Sequence, residues 1–395
     1  MRLFSRDAQR SAPRLTVPLL IVGVVGLFVG LVIDRAIRRL PLEKSMLFPW
    51  GEYCERCLQR KPIIASIPII GLLFVGGRCP SCGISLSKRG ILIQLLTAAG
   101  FMGIYYLHIG LGGRELPAIN RTYWNYGSSR LVALFVYHCI LYAFLLTATF
   151  TDLDYTLIPE SITNWGLGVG LLLGTFWYVE LRPVPIALVG GSPEFNYLAV
   201  HPGQWFDEDR WQVWFGGKAK DIPPLLEWIR TNFYFHWALN WTKYLGLLTG
   251  VVGALVGYCI TRIVRDVCSL ALDKEAMGLG DLWLMAMIGA FLGWQTAVIA
   301  FVLSWVSGAA IGLPVAILNR GQMIPFGPHI VLGSIAAVVW WRPLWKYFEP
   351  ALIDARLFLI LTAVLSVLLF ITSLVVSQIK KMGNRLLNAS QKPRS

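Results

Sequence analysis

The chain has 395 residues, of which 56% are hydrophobic and only 14% charged, with a mean hydropathy of +0.60. No water-soluble globule of this length could cover so much apolar surface, so the bilayer is the solvent. The net charge of +13 would suit nucleic acid, but the basic residues fall in short clusters beside apolar runs. No aromatic stripe of the kind that stacks bases is interleaved with them, which excludes nucleic acid as a partner.

Taken in chain order, apolar runs long enough for a hydrocarbon core of about 30 Å cover roughly 16 to 33, 91 to 109, 131 to 151, 161 to 179, 243 to 264, 296 to 318 and 357 to 378. Two shorter runs, 282 to 293 and 328 to 342, are expected to cross as well. The fold class is therefore all-α, a polytopic bundle of eight or nine spans with a small four-cysteine loop domain. The first run lacks a small-residue cleavage site and is followed directly by Asp34-Arg35, so it reads as a retained span. Six segments follow: 1–39 with the first span, 40–90 with four of the seven cysteines, 91–179 with three spans, an aromatic-rich insert at 180–240, 241–342 with four spans, and 343–395 with a last span and a basic tail.

Basic clusters at Arg35/Arg38/Arg39, at Arg56 to Arg89, at Arg262/Arg265/Lys274 and at Lys380/Lys381/Arg385 set the topology. By the positive-inside rule they put the N-terminus outside and the C-terminus in the cytoplasm. The cluster Arg2/Arg6/Arg10/Arg14 runs against this and is outweighed by the other four. Five tryptophans between Trp205 and Trp237 suit an insert lying on the outer interface.

The same topology brings two acidic motifs to one face. Thr151-Asp152-Leu153-Asp154 ends the third span, and Gly278-Leu279-Gly280-Asp281 opens the sixth. A lone aspartate there is ordinarily an interface anchor or a cap. Two on one face, each costly near hydrocarbon, are candidates for chemistry. A facing pair of carboxylates cannot both ionise easily, so one keeps a proton. One can then serve as base to a water and the other as acid to a carbonyl, which is peptide hydrolysis without a metal. Gly278 and Gly280 clear side chains from beside Asp281 and let a substrate backbone approach. Pro159 suits the first turn of the helix after Asp152.

Cys54-x2-Cys57 and Cys79-x2-Cys82, with 21 residues between the pairs, have the spacing of a tetrahedral zinc site. Two disulfides are the competing reading, which a reducing cytoplasm disfavours. Four cysteine ligands leave no open position, so such a zinc is structural. Cys139, Cys259 and Cys268 lie in or beside apolar runs and read as inert buried thiols.

TDLDYTLIPE resembles the first aspartate motif of the prepilin peptidases, and Met277 to Gln295 resembles that family's GxGD block. Ile324-Pro325-Phe326-Gly327-Pro328 resembles its Pro-Phe-Gly-Pro block, and Arg39-Leu40-Pro41, the cysteine pairs and Ile67-Pro68 follow the order of its cytoplasmic loop. The resemblance implies a bacterial inner-membrane aspartic endopeptidase with Asp152 and Asp281 catalytic and Asp154 in support. It implies prepilin or type II secretion pseudopilin precursors as substrates, cleaved at the cytoplasmic face. It also implies N-methylation of the new N-terminus from S-adenosylmethionine. There the chain departs from the pattern: Asp34 stands for the family's Asn, and Arg89-Gly90-Ile91-Leu92-Ile93-Gln94 for Arg-Tyr-Pro-Leu-Val-Glu.

Two rivals are weaker. A presenilin-like protease shares GxGD but has Tyr-Asp and Pro-Ala-Leu where this chain reads Thr151-Asp152 and Pro-Phe-Gly-Pro. A transporter or assembly scaffold would carry inverted repeats and mid-membrane acids, whereas both aspartates here lie at span ends. The five histidines show no HExxH spacing, and no GxSxG is present.

Overall fold

A computed structural model describes residues 4–46, 57, 59, 78–79, 81–84, 89–110, 128–176, 235–272, 275, 277–312, 325–353, 360, 363, 367 and 371. The insert up to residue 234, Cys54 and most of the expected last span lie outside the described residues. The helices are α1 (Phe4–Arg39), α2 (Arg89–Tyr105), α3 (Ser128–Tyr155), α4 (Glu160–Phe176), α5 (Phe235–Leu272), α6 (Leu279–Leu292), α7 (Trp294–Ser307), α8 (Gly327–Val339) and α9 (Trp341–Ile353). Wider π turns extend α2 through Tyr106–Gly110 and α7 through Gly308–Gly312.

Among the described residues, five stretches are long and apolar enough to cross a membrane: Val17–Leu42, Arg89–Gly110, Val132–Tyr155, Gly246–Leu270 and Trp294–Ile311. Each matches a run expected from sequence. The two short runs also form apolar helices, Leu279–Leu292 and Gly327–Val339. The run expected at 161 to 179 forms α4, 17 residues long and so about 26 Å at helical rise. α5 begins at Phe235, inside the stretch assigned to the insert, because residues 235 to 242 continue its helical pattern without a break.

The chain divides into two compact units, one of residues 1–166 and 308–332, the other of 167–307 and 333–395. In the first unit α1 and α2 run antiparallel in close contact. A Cβ on Gly26 would lie 2.6 Å from the Ala98 Cα, and one on Gly30 would lie 2.6 Å from the Gln94 Cα. In lipid, where hydrophobic attraction between helices is absent, such backbone proximity is what dispersion packing rewards. Ile33, Ile37, Ile93 and Leu146 then form a buried cluster that takes in Tyr142, Ala143 and Phe150 of α3.

In the second unit α5 and α6 pair the same way. Gly253 lies against the Gly289 carbonyl and Gly257 against the Met285 carbonyl, too close for any side chain. α6 is apolar all round, and nearly all of it from Asp281 to Leu292 is buried, as expected of a helix enclosed by protein. Gly293, at φ 81°, ends α6. Its N–H bonds the Gly289 carbonyl at 2.8 Å, and its own carbonyl takes the Ala297 N–H at 3.1 Å as α7 begins. α7, α8 and α9 share a cluster of Trp294, Val298, Ile299, Ala300, Ala337, Trp341 and Leu352. Within α9 the rings of Trp341 and Trp345 stack with centroids 5.1 Å apart. The expected span at 328 to 342 thus stops at Val339, and α9 follows as a separate helix whose sequence mixes Arg342, Lys346 and Glu349 with tryptophans.

Gly253→Leu is expected to lower the unfolding temperature in detergent sharply, since overpacking costs about 1 to 3 kcal/mol or more. Gly103, whose Cβ would meet nothing within 4 Å, should accept Ala with no loss. Thermal unfolding of the two variants side by side checks this.

Candidate active site

Asp152 lies in the last turn of α3 and is 6% exposed. Its Oδ2 accepts a hydrogen bond from the backbone N–H of Gly327 at 2.9 Å, across 175 residues of chain. The sequence around Gly327 explains why that donor is available. Phe326 caps α8 by accepting the N–H groups of His329 and Ile330 at 3.0 and 3.2 Å, and Pro328 has no N–H to give. The Gly327 N–H is left over, at the positive end of the helix, and a carboxylate answers it. Glycine is required there, because a Cβ would stand 2.6 Å from Asp152 Oδ2 and 3.1 Å from Ile158 Cδ1.

Asp154, two residues further, points elsewhere and forms an ion pair with Arg89 at the start of α2. The Arg89 guanidinium also donates to the Phe150 carbonyl at 3.4 Å and lies 5.5 Å from the centre of the Phe150 ring. α3 then ends at Thr156, which adopts φ 50° while its N–H bonds the Asp152 carbonyl at 2.9 Å. A β-branched residue in that region is strained, and the turn frees Pro159 to start α4, where its carbonyl takes the Ile162 N–H. The start of α2, the end of α3 and the start of α8 therefore meet at one end of the first unit, as the expected alternation of spans requires.

Asp281 belongs to the second unit, in the first turn of α6, and is 7% exposed. Gly278 precedes the helix in extended backbone, φ −68° and ψ 154°. Neither Gly278 nor Gly280 is left-handed, so conformation does not require glycine at either place. A Cβ on Gly278 would lie 3.7 Å from Asp281 Oδ2, so anything larger would cover the carboxylate. Among the described residues the buried carboxylates are Asp34, Asp152 and Asp281. Asp34 is answered by Arg38, one turn on.

Cys57, Cys79 and Cys82 bring their sulfur atoms within 4.8 Å of one another, with Cys57 and Cys79 at 4.0 Å. None of the three is in a disulfide. The Cys79 N–H bonds the Ile84 carbonyl and the Gly83 N–H bonds the Cys79 carbonyl, folding the second pair into a tight turn. The cluster could hold a metal. Elsewhere, His138 turns out to share a 2.6 Å hydrogen bond with His108, both buried. His108 Nδ1 donates to the Ile104 carbonyl, so its Nε2 accepts from His138.

Sequence reasoning found the acids and the cysteines but missed two partners. The Gly-Pro at a helix start, which leaves one unmatched N–H, was the available signal for Gly327. For Arg89 it was the Lys88-Arg89 pair at the mouth of a span.

A bundle of membrane-crossing helices with a buried aspartate at a span end and another in a GLGD turn defines a polytopic membrane protein of the aspartic-protease class. Two family profiles match: "Bacterial Peptidase A24 N-terminal domain" over residues 24–108 and "Type IV leader peptidase family" over 228–313. The chain belongs to this family, the prepilin leader peptidases, membrane aspartic proteases that cleave type IV prepilin leaders. Similar proteins include the "Prepilin leader peptidase/N-methyltransferase" of Aeromonas salmonicida, 25% identical over 298 residues, 75% of this chain and 73% of the relative. Those of Stutzerimonas stutzeri and Legionella pneumophila are each 24% identical, covering 80% and 81% of this chain and 89% and 91% of the relative. No solved structure matches. Asp152 and Gly327 both lie outside the two matched segments, so the bond between them is seen in the structure and not in the match.

Gly327→Ala should cut leader-peptidase activity by at least about tenfold, since displacing a reacting group by about 1 Å can cost 10²-fold. Leader removal from a prepilin, measured beside the helical circular dichroism of the purified variant, checks it.

Proposed function

We propose that Asp152 and Asp281 are the catalytic pair of this leader peptidase, acting at the cytoplasmic face of the bacterial inner membrane. The observation that carries the reading is the Gly327 N–H bond to Asp152 Oδ2. It accounts for a buried carboxylate that has no cation beside it among the described residues, and it uses the Pro-Phe-Gly-Pro block to do so. Gly278 and Gly280 support the reading at Asp281 by leaving room for a peptide backbone beside the acid.

The Gly327 N–H bond to Oδ2 favours the ionised form of Asp152 over the protonated one. Asp152 then suits the base and Asp281 the acid. A water loses a proton to Asp152 as its oxygen attacks the scissile carbonyl, and Asp281 gives its proton to the carbonyl oxygen. Collapse of the resulting diol breaks the C–N bond, and the leaving nitrogen takes a proton from the pair. The substrate is a prepilin or type II secretion pseudopilin with a basic leader in the cytoplasm and an apolar helix in the bilayer. Its scissile bond lies between the two, at the depth of a span end. The four basic clusters support the orientation, with the N-terminus outside.

Zinc is proposed for Cys54, Cys57, Cys79 and Cys82. Zn–S bonds of about 2.3 Å in a tetrahedron put sulfurs about 3.8 Å apart, close to the 4.0 Å between Cys57 and Cys79. When bound, the ion would hold the loop together, and no step of hydrolysis passes through it. The relatives' names also carry N-methyltransferase, an activity for which S-adenosylmethionine would be the methyl donor. Against it stand Asp34, Ile91 and Gln94, the last buried with its side-chain oxygen unpartnered, so the proposal is confined to proteolysis.

Asp152→Asn and Asp281→Asn should each lose at least about a hundredfold in leader removal. Asp154→Asn, which breaks only a partly exposed ion pair, should lose less than about tenfold. Co-expression with a prepilin and a mobility assay reads all three, and normal processing by either of the first two would sink the assignment. Metal analysis of the purified protein should return about one zinc per chain, absent after Cys79→Ser.

A further inference from the structure

α5 and α6 pair in a fixed antiparallel register. Gly253 faces Gly289 and Gly257 faces Met285, so four residues forward on one helix match four back on the other. The rings of Tyr258 and Trp283, 5.3 Å apart, keep the same register. One further step places Thr261, fully buried, at the level of Asp281. The next pairs Arg265 with Met277, and there the Arg265 Nε–H donates to the Met277 carbonyl at 2.9 Å. Asp281 is thus bracketed by a backbone contact on one side and a side-chain hydrogen bond on the other.

That bond comes where the chain needs it. Gly278 starts α6 without a side-chain cap, and Met277 and Gly278 lie outside any helix, so the register would otherwise lapse just before the GLGD turn. Arg265 is well placed to hold it, its side chain being 11% exposed. Its second bond, to Glu275 Oε1 at 3.2 Å, ends on a carboxylate that is 82% exposed and adds little. Arg262, one turn before, pairs with Asp266 within α5 instead.

We propose that Arg265 is a positioning residue for Asp281: by holding the Met277 carbonyl it sets the depth and direction from which the carboxylate leaves α6. The inference rests on the reading of Asp281 as catalytic. Arginine is suited to this because its planar guanidinium fixes the direction of the bond, which a lysine ammonium does not.

The test is leader removal from a purified prepilin in detergent, with kcat and KM measured separately. Arg265→Met should lower kcat about ten- to hundredfold and leave KM within about twofold, with an unfolding temperature like that of the wild type. Arg265→Lys, which can still give one donor to the carbonyl, should fall between the two. Glu275→Gln and Arg262→Gln should behave as wild type. The proposal is overturned if Arg265→Met keeps a wild-type kcat. It is equally overturned if the loss tracks a lowered unfolding temperature and Arg265→Lys restores nothing, which would make the residue structural. Asp281→Asn in the same assay separates the two levels of argument. An active Asp281→Asn removes the reading of Asp281 and the clamp with it, whereas a dead Asp281→Asn beside a fully active Arg265→Met removes the clamp alone.

Discussion

A carboxylate at the edge of a membrane has to be answered by a donor, because hydrocarbon supplies none. This chain answers Asp152 with a backbone N–H that Pro328 has left without competition. Much else in the first unit follows from that one bond. α8 must begin beside the end of α3, Gly327 must lack a side chain, and Phe326 must cap the helix so that the later N–H groups are already occupied. A side-chain donor could have done the same electrostatic task. A backbone donor has no rotamers to lose, so the carboxylate is held by the fold itself.

Both units prepare an acid in related ways. Each contains an antiparallel helix pair brought to backbone contact by glycine, Gly26 and Gly30 against α2 in one, Gly253 and Gly257 against α6 in the other. Small residues of this kind give membrane helices a defined depth relative to each other. In the second unit that depth passes directly to the acid, since Asp281 lies one turn beyond the Met285 contact on the same helix. In the first unit it passes indirectly: α1 and α2 form a base on which α3 packs through Leu146 and Phe150, and Arg89 at the mouth of α2 then grips the end of α3.

Hydropathy made the long helices legible, because a run of apolar residues reports a crossing without regard to its neighbours. The short ones were legible for a different reason. α6 reads as apolar on every face, as a helix enclosed by lipid or protein does, and it is enclosed by protein. What hydropathy could not show was where a run stops being a span: the run at 328 to 342 ends at Val339, and α9 turns its tryptophans onto α7 and α8. The acids were visible because charge is rare in such a chain. Their partners were not, since a backbone N–H has no letter of its own, and its availability at Gly327 depends on a neighbour that lacks one. Cys57, Cys79 and Cys82 do gather, because the turn from Cys79 to Ile84 holds two of them together and only one approach is needed to bring in the third.

The Asp-Leu-Asp segment shows how a helix divides labour between two like residues. Positions two apart on a helix face directions about 200° apart, so the two carboxylates cannot share a site. Asp152 turns inward and is buried against Gly327, while Asp154 turns toward Arg89 and is about a quarter exposed. The second acid neutralises an arginine that would otherwise bring a positive charge to the mouth of the site, and the pair ties α2 to α3 where the first acid needs rigidity. A motif that reads as two candidate acids is thus one buried carboxylate and the brace that steadies it.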